Sequence, residues 1–261
     1  MMTILDEINN FKKTEVVLRK KLITIDELKS MPNYKREVPS LSDFLLSEKH
    51  TGIIAEFKRK SPSKDIINDH SSVSDVTTGY EKASVSAISI LTDSKYFGGT
   101  IKDLEDAAKV VKIPILRKDF IVDEFQIYEA KAIGASAILL IAASLSKAEI
   151  NNFAHIAREL GLEVLFEIHN ESELEKISDY VNIVGVNNRD LKTFKVDINQ
   201  SISLSGLIPD KYIKISESGI SDASNIKMLK NYGFKGFLIG ETFMKEKDPG
   251  EACLKFSELL K

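Results

Sequence analysis

The chain has 261 residues, 43% of them hydrophobic and with no biased tract, enough to bury one large core and too few to add a second full domain. A formal charge of −3, with lysines and arginines spread along the chain, excludes a general nucleic-acid binder and favours a small-molecule partner. No run approaches the ~18 apolar residues of a membrane span, and MMTILDEINNFKK lacks the apolar stretch of a signal peptide, so a cytoplasmic protein without membrane attachment is expected.

Residues 1 to about 50 stand apart from the rest. ILDEINNFKKTEVVLRKKLITIDELKSM predicts one or two amphipathic helices, and PNYKREVPSLSDFLLS a loop leading into another, with Pro32 and Pro39 marking an irregular linker. This extension is expected to cap one end of the fold. Apolar, β-branched runs then recur near 53–58, 87–92, 113–118, 137–143, 162–168, 182–187, 212–217 and 236–240, each followed by a stretch with helical spacing. Gly134, Gly161 and Gly233 sit shortly before the next strand, where a left-handed glycine ends a helix. Eight such units predict a closed (β/α)8 barrel, one domain over 1–261 with 1–50 as its helical extension. An open doubly wound sheet is the alternative, but no GxGxxG turn follows the first strand.

Five of the strands end in a charged or amide side chain: IIAEFK with Glu56 and Lys58, IPILRK with Lys118, VLFE with Glu167, IVGVN with Asn187 and YIKISE with Glu217. A parallel strand buried on both faces is apolar throughout, so polar residues repeated at the C-terminal ends imply a pocket where those ends converge. Alternation places Ile54, Glu56 and Lys58 on the lumen face, and likewise Leu116 with Lys118, Leu165 with Glu167, Ile215 with Glu217, and Gly185 with Asn187 and Arg189, while Asn188 faces away. Any one of these charges would be unremarked at a solvated rim. Two lysines and three carboxylates around one mouth would shift one another's pKa values, as catalytic clusters do.

A second constellation fits a phosphate. SESGIS leaves the seventh strand through Gly219 toward a helix start at Ser221 or Asp222, and FLIGETF leaves the eighth through Gly240. Loops at these two places hold phosphate in many barrels, against backbone N–H groups that glycine lets approach. KRKSPSK adds a basic loop after the first strand, in which Ser61 is a candidate donor to the same group. Other chemistries find less support. Cys253, the only cysteine, excludes an internal disulfide and a cysteine metal cluster and sits in a helix where packing is the simpler role. His50, His70, His155 and His169 show no metal-ligand spacing and read as surface or packing residues, and no GxSxG elbow occurs.

The segments IIAEFKRKSPS (53–63), LTDSKYFGG (91–99), PILRKDFIVDEFQIYEA (114–130), LFEIHNESEL (165–174), GVNNRDLKTF (185–194), SESGI (216–220) and GFLIGETFM (236–244) resemble the indole-3-glycerol phosphate synthase family over the whole chain, extension included. The resemblance implies ring closure of 1-(2-carboxyphenylamino)-1-deoxyribulose 5-phosphate to indole-3-glycerol phosphate, with loss of carbon dioxide and water and with no metal or organic cofactor. It implies Lys118 as general acid, Glu56 and Glu167 at the acid and base positions, and Lys58 on the substrate carboxylate. Asn187 and Glu217 match positions that orient substrate hydroxyls and the lysine, and Arg189 a supporting ion-pair position. Ser61, Ser218, Gly219, Gly240 and the Glu241 N–H match the phosphate cradle, and Phe97, Leu139 and Leu238 the wall against the anthranilate ring. Phe57 and Ser216 depart from the expected pattern on the face away from the lumen.

Three rivals remain open at the level of residues: a Schiff-base lyase or aldolase using Lys118 or Lys58 as nucleophile, a phosphosugar isomerase, and a non-enzymatic phosphometabolite-binding barrel. The partner expected is a small phosphorylated molecule, the expected state a monomer.

Overall fold

Helix α1 (Ile4–Leu22) starts where Thr3 accepts the N–H of Asp6 and Asp6 returns a bond to Thr3, a reciprocal cap that satisfies two orphan donors. Thr24 repeats the device with Glu27 for α2 (Ile25–Ser30), and Ser40 caps α3 (Leu41–Leu46). Pro32 opens a short 3-10 turn between α2 and α3, where the missing N–H costs no bond. The computed structural model of the protein describes residues 3–62 and 64–260.

Eight strands follow: β1 (Ile53–Phe57), β2 (Ala87–Leu91), β3 (Ile115–Lys118), β4 (Ala137–Ile141), β5 (Glu163–Ile168), β6 (Ile183–Asn187), β7 (Ile213–Glu217) and β8 (Phe234–Ile239). Each pairs in parallel with its sequence neighbours, and β8 pairs with β1 to close the ring, giving the (β/α)8 barrel that the repeat predicted. Ile54, Ala87, Leu116, Leu139, Leu165, Ile215 and Leu238 form one inner cluster, whereas Phe57, Ile90, Phe166, Val184 and Phe237 join the outer cluster under the helices. The period of two therefore assigned the lumen face correctly. Gly134, Gly161 and Gly233 take φ of +99°, +68° and +85°, the left-handed values expected of helix terminators.

The extension meets both ends of the barrel instead of capping one. Leu41 and Leu45 of α3 are buried in the inner cluster, and the Ser42 N–H bonds Glu163 at the start of β5 at 3.0 Å, so α3 plugs the floor. At the opposite end Ile4, Leu5 and Ile8 of α1 edge the mouth. Between them α1 is pinned by Lys12, only 1% exposed, whose Nζ lies 2.9 Å from Asp93 and 3.0 Å from Asp119, just past β2 and β3. Arg117 continues this network to Asp119 and Glu129, and Arg19 joins Glu129 at 2.7 Å.

Two connections differ from the sequence expectation. The basic loop KRKSPSK carries a small antiparallel pairing of Lys60–Ser61 with Lys64–Ile66. Between β5 and β6 the helical stretch is a six-residue 3-10 helix, Glu171–Lys176, because its own side chains are drawn to the barrel: Glu173 accepts the His169 N–H, and Lys176 reaches the carbonyls of Ala142 and Leu145.

Candidate active site

The strand ends converge on one cavity of about 380 Å³. Glu56, Lys58, Lys118, Glu167, Asn187 and Glu217 all line it, as do Ser61, Phe97, Leu139, Arg189, Ser218, Gly219, Leu238, Gly240 and Glu241. Register explains how they meet: Asn187 stands beside Glu217 across the β6–β7 pairing, and Glu217 beside Leu238 across β7–β8. Gly185, one inward position below Asn187, leaves the room in which the Glu217 carboxyl lies.

Lys118 is the centre of the charges. Its Nζ is 3.2 Å from Glu167 Oε2 and 3.6 Å from Glu217 Oε2. Burial alone would lower its pKa, but the charges of Glu167, Glu217 and Glu56 outweigh burial and hold it above the usual lysine value, as an ammonium at neutral pH. Burial pushes Glu167 up, yet Lys118, His169 and the Asn187 amide (3.2 Å) together keep it below the usual range and ionised. Glu217 goes the other way: burial, then the Glu167 charge, raise it above the usual range, and its Oε1 is buried without a hydrogen-bond partner. The same ammonium and the same burial thus push the two neighbouring carboxyls in opposite directions, Glu167 down and Glu217 up. At the end of β1, Lys58 pairs with Glu56 at 2.8 Å.

At the other side of the cavity the chain leaves β7 through Ser218 and Gly219, both with positive φ (+68° and +77°), and a helix (Ala223–Lys230) begins four residues on, capped by Asp222. Successive left-handed residues turn backbone N–H groups toward one concavity. Asn187 Oδ1 accepts from Ser218 Oγ at 2.9 Å and from the Arg189 N–H at 3.0 Å, tying β6 to this turn. A Cβ on Gly240 would fall 2.5 Å from Glu56 Oε1, so glycine there makes space for the Glu56 carboxyl and opens the chain into the short helix Glu241–Met244. The Glu241 side chain turns to Lys64, 2.6 Å away. Burial opposes its ionisation, but the Lys64 bond outweighs that and lowers its pKa. Of the other basic residues in the first loop, Arg59 binds Asp103 at 2.6 Å and Lys60 the Lys95 carbonyl.

Two sequence readings need correction. Arg189 forms no ion pair within 4 Å among the described residues; its guanidinium donates to the Phe194 carbonyl at 3.1 Å, because its loop folds back over it. His169 is not a surface or plain packing residue: its side chain is 11% exposed, with Nε2 at 3.4 Å from Glu167 Oε1 and Nδ1 at 3.8 Å from Glu173. Alternation from Glu167, two residues earlier on the same face, is the signal that could have found it. The apolar wall of Phe97, Leu139 and Leu238 gains Phe120 and Ile141, and Ile4, Leu5 and Ile8 of α1, which no strand pattern reveals. Cys253 is fully buried, as its packing role required, and burial raises its thiol to about 12. Among the described residues no group of three or more His, Cys, Asp or Glu side chains is arranged to hold a metal ion.

The family model for indole-3-glycerol phosphate synthase matches residues 5–256. Indole-3-glycerol phosphate synthase of Bacteroides thetaiotaomicron is 47% identical over 98% of both chains, and that of Alkaliphilus metalliredigens 42% identical over 95% of both. Among solved structures, 3-hexulose-6-phosphate synthase of Salmonella typhimurium superposes with a TM-score of 0.63 at 14% identity, over 80% of this chain and 98% of that one, a likeness of fold alone. With this coverage and identity over barrel and extension alike, the chain belongs to the indole-3-glycerol phosphate synthase family.

Proposed function

We propose the following division of roles for the reaction of this family. The chain is an indole-3-glycerol phosphate synthase, a carboxy-lyase that closes the ring of 1-(2-carboxyphenylamino)-1-deoxyribulose 5-phosphate and releases carbon dioxide and water. An aromatic carbon attacks the ribulose carbonyl, negative charge grows on that oxygen, and Lys118 gives it a proton. The observation that carries this role is the Lys118 ammonium held among Glu167, Glu217 and Glu56. It also weighs against a Schiff-base mechanism, since an attacking amine must be neutral and these carboxylates favour the charged form.

Loss of carbon dioxide restores the aromatic ring, and loss of the new hydroxyl needs an acid on one side and a base on the other. Glu167, kept as a carboxylate, is the base, and Glu56 stands at the position of the acid in the family. Lys58 holds the substrate carboxylate as a point charge until decarboxylation removes it. Asn187 and Glu217 orient substrate hydroxyls and Lys118, and Arg189 braces the loop above them. Ser61, Ser218, Gly219, Gly240 and the Glu241 N–H receive the phosphate, while Phe97, Leu139 and Leu238 pack the anthranilate ring. The enzyme is taken to work as a cytoplasmic monomer, with 1–261 one domain; light scattering tests the monomer.

The direct test follows indole fluorescence after the anthranilate-derived ribulose phosphate is added to purified protein. Wild type should turn over, with Lys118→Ala and Glu167→Gln losing activity steeply. Wild-type protein that yields no indole product would overturn the assignment.

A further inference from the structure

His169 is used by none of the roles above, yet its surroundings are built. It follows Glu167 by two residues, so it shares the inward face as β5 ends. Its backbone is clamped from two sides, the N–H by Glu173 Oε2 at 2.6 Å and the carbonyl by the Gln200 amide. The ring lies between carboxylates, Glu167 facing Nε2 at 3.4 Å and Glu173 facing Nδ1 at 3.8 Å, and both nitrogens are buried without a hydrogen-bond partner within ordinary limits. A neutral imidazole has one N–H and could serve one of these acids. The imidazolium has a donor on each side, one for each carboxylate.

The need for such a cation follows from the acid step. When Lys118 transfers its proton to the carbonyl oxygen, an N–H bond breaks, an O–H bond forms, and the positive charge beside Glu167 Oε2 disappears. Glu167 would then be a buried carboxylate with only the neutral Asn187 amide as partner, and its affinity for a proton would rise steeply. A second cation on Oε1 prevents this. We propose that His169, in its protonated form, is a positioning residue that holds Glu167 in place and ionised after Lys118 has given up its proton, an inference that rests on the synthase reading of the cavity.

The ionisable groups that face the ring are Glu167 on β5, Glu173 on the following 3-10 helix and Lys118 on β3. Burial and the Lys118 charge favour the neutral ring; the two carboxylates outweigh them and raise its pKa above the ordinary histidine value. Protonated His169 is therefore fully present below the ordinary histidine value and is lost as the pH rises through this raised one.

The test compares kcat and KM across pH for wild type, His169→Asn and Glu173→Gln, with the His169 ring followed by proton NMR, its signal identified by its absence from His169→Asn. In His169→Asn, kcat should fall ~10-fold near neutral pH with KM within ~2-fold, and the alkaline limb due to the ring should vanish. Glu173→Gln, which keeps the ring, should move that limb and the NMR titration together to lower pH by roughly one unit. A His169→Asn enzyme with an unaltered pH profile overturns the inference and leaves the synthase reading intact. So does a Glu173→Gln profile that stays put while the ring titration moves, which also decides the matter should His169→Asn fail to fold. Wild-type protein without synthase turnover sinks both.

Discussion

Gly185 on β6 makes room for Glu217 on β7: a Cβ at Gly185 would come within 2.2 Å of Glu217 Oε1 and 3.0 Å of Leu165. The acidic side chain nearest Lys118 after Glu167 is thus held by a hydrogen atom where any other residue carries carbon. Gly185→Ala should displace Glu217 into the cavity. We expect a stability loss of about 1–3 kcal/mol, in the range of overpacked cores, with a larger proportional fall in kcat than in thermal stability. Denaturant unfolding and steady-state kinetics on one preparation would check this, and an unchanged kcat would refute it.

Removal of the proton donor is the sharpest chemical test. Lys118→Ala should lower kcat by at least ~10², as loss of a general acid does. Borohydride added with substrate should leave no adduct on the wild-type enzyme, because the lysine is kept charged. A stable adduct at Lys118 would revive the Schiff-base alternative.

Lys12→Met should destabilise the fold by about 3–5 kcal/mol, since Asp93 and Asp119 would lose a buried partner. Burial pushes Asp119 up, but Lys12 and Arg117 push it down further, so its folded pKa lies below its ordinary one. Its contribution is present above the unfolded value of about 4 and is lost as pH falls through the lower folded value. The stability gap between wild type and Lys12→Met should therefore be full at neutrality and narrow in that acid range, as urea titrations at several pH values would reveal.

Lys64 neutralises Glu241 at the edge of the proposed phosphate seat. This pair is partly exposed and contributes little to stability, so its effect should fall on binding. Lys64→Ala would leave a bare carboxylate facing the phosphate and raise KM ~5-fold, about 1 kcal/mol. Lys64→Ala combined with Glu241→Ala should bring KM back toward wild type. Kinetics of the single and double variants would separate repulsion from a loss of loop structure, which the second substitution would not repair.

The barrel and most of the site were legible because both follow a local rule. Period-two alternation sorted Ile54 from Phe57 and Leu165 from Phe166, and it carried the polar strand ends Glu56, Lys118, Glu167 and Glu217 to the same side. What escaped depends on partners far apart in the chain. Lys12 looks like one more lysine of an amphipathic helix, and only folding brings it to Asp93 and Asp119. His169 has no spacing motif because its partner Glu173 lies on a 3-10 turn, where helical periodicity misleads. Arg189 was expected in an ion pair, but folding brings no carboxylate among the described residues within 4 Å of its guanidinium and one of its N–H groups bonds the Phe194 carbonyl of its own loop.

That residues 3–46 reach the floor with Leu41 and Leu45 and the rim with Ile4, Leu5 and Ile8 ties two jobs to one strap of chain. A chimera that grafted these polar strand ends onto a bare barrel would inherit every charge and none of the apolar edge that Ile4, Leu5 and Ile8 give the cavity. Transplanting the chemistry means carrying the strap along with it.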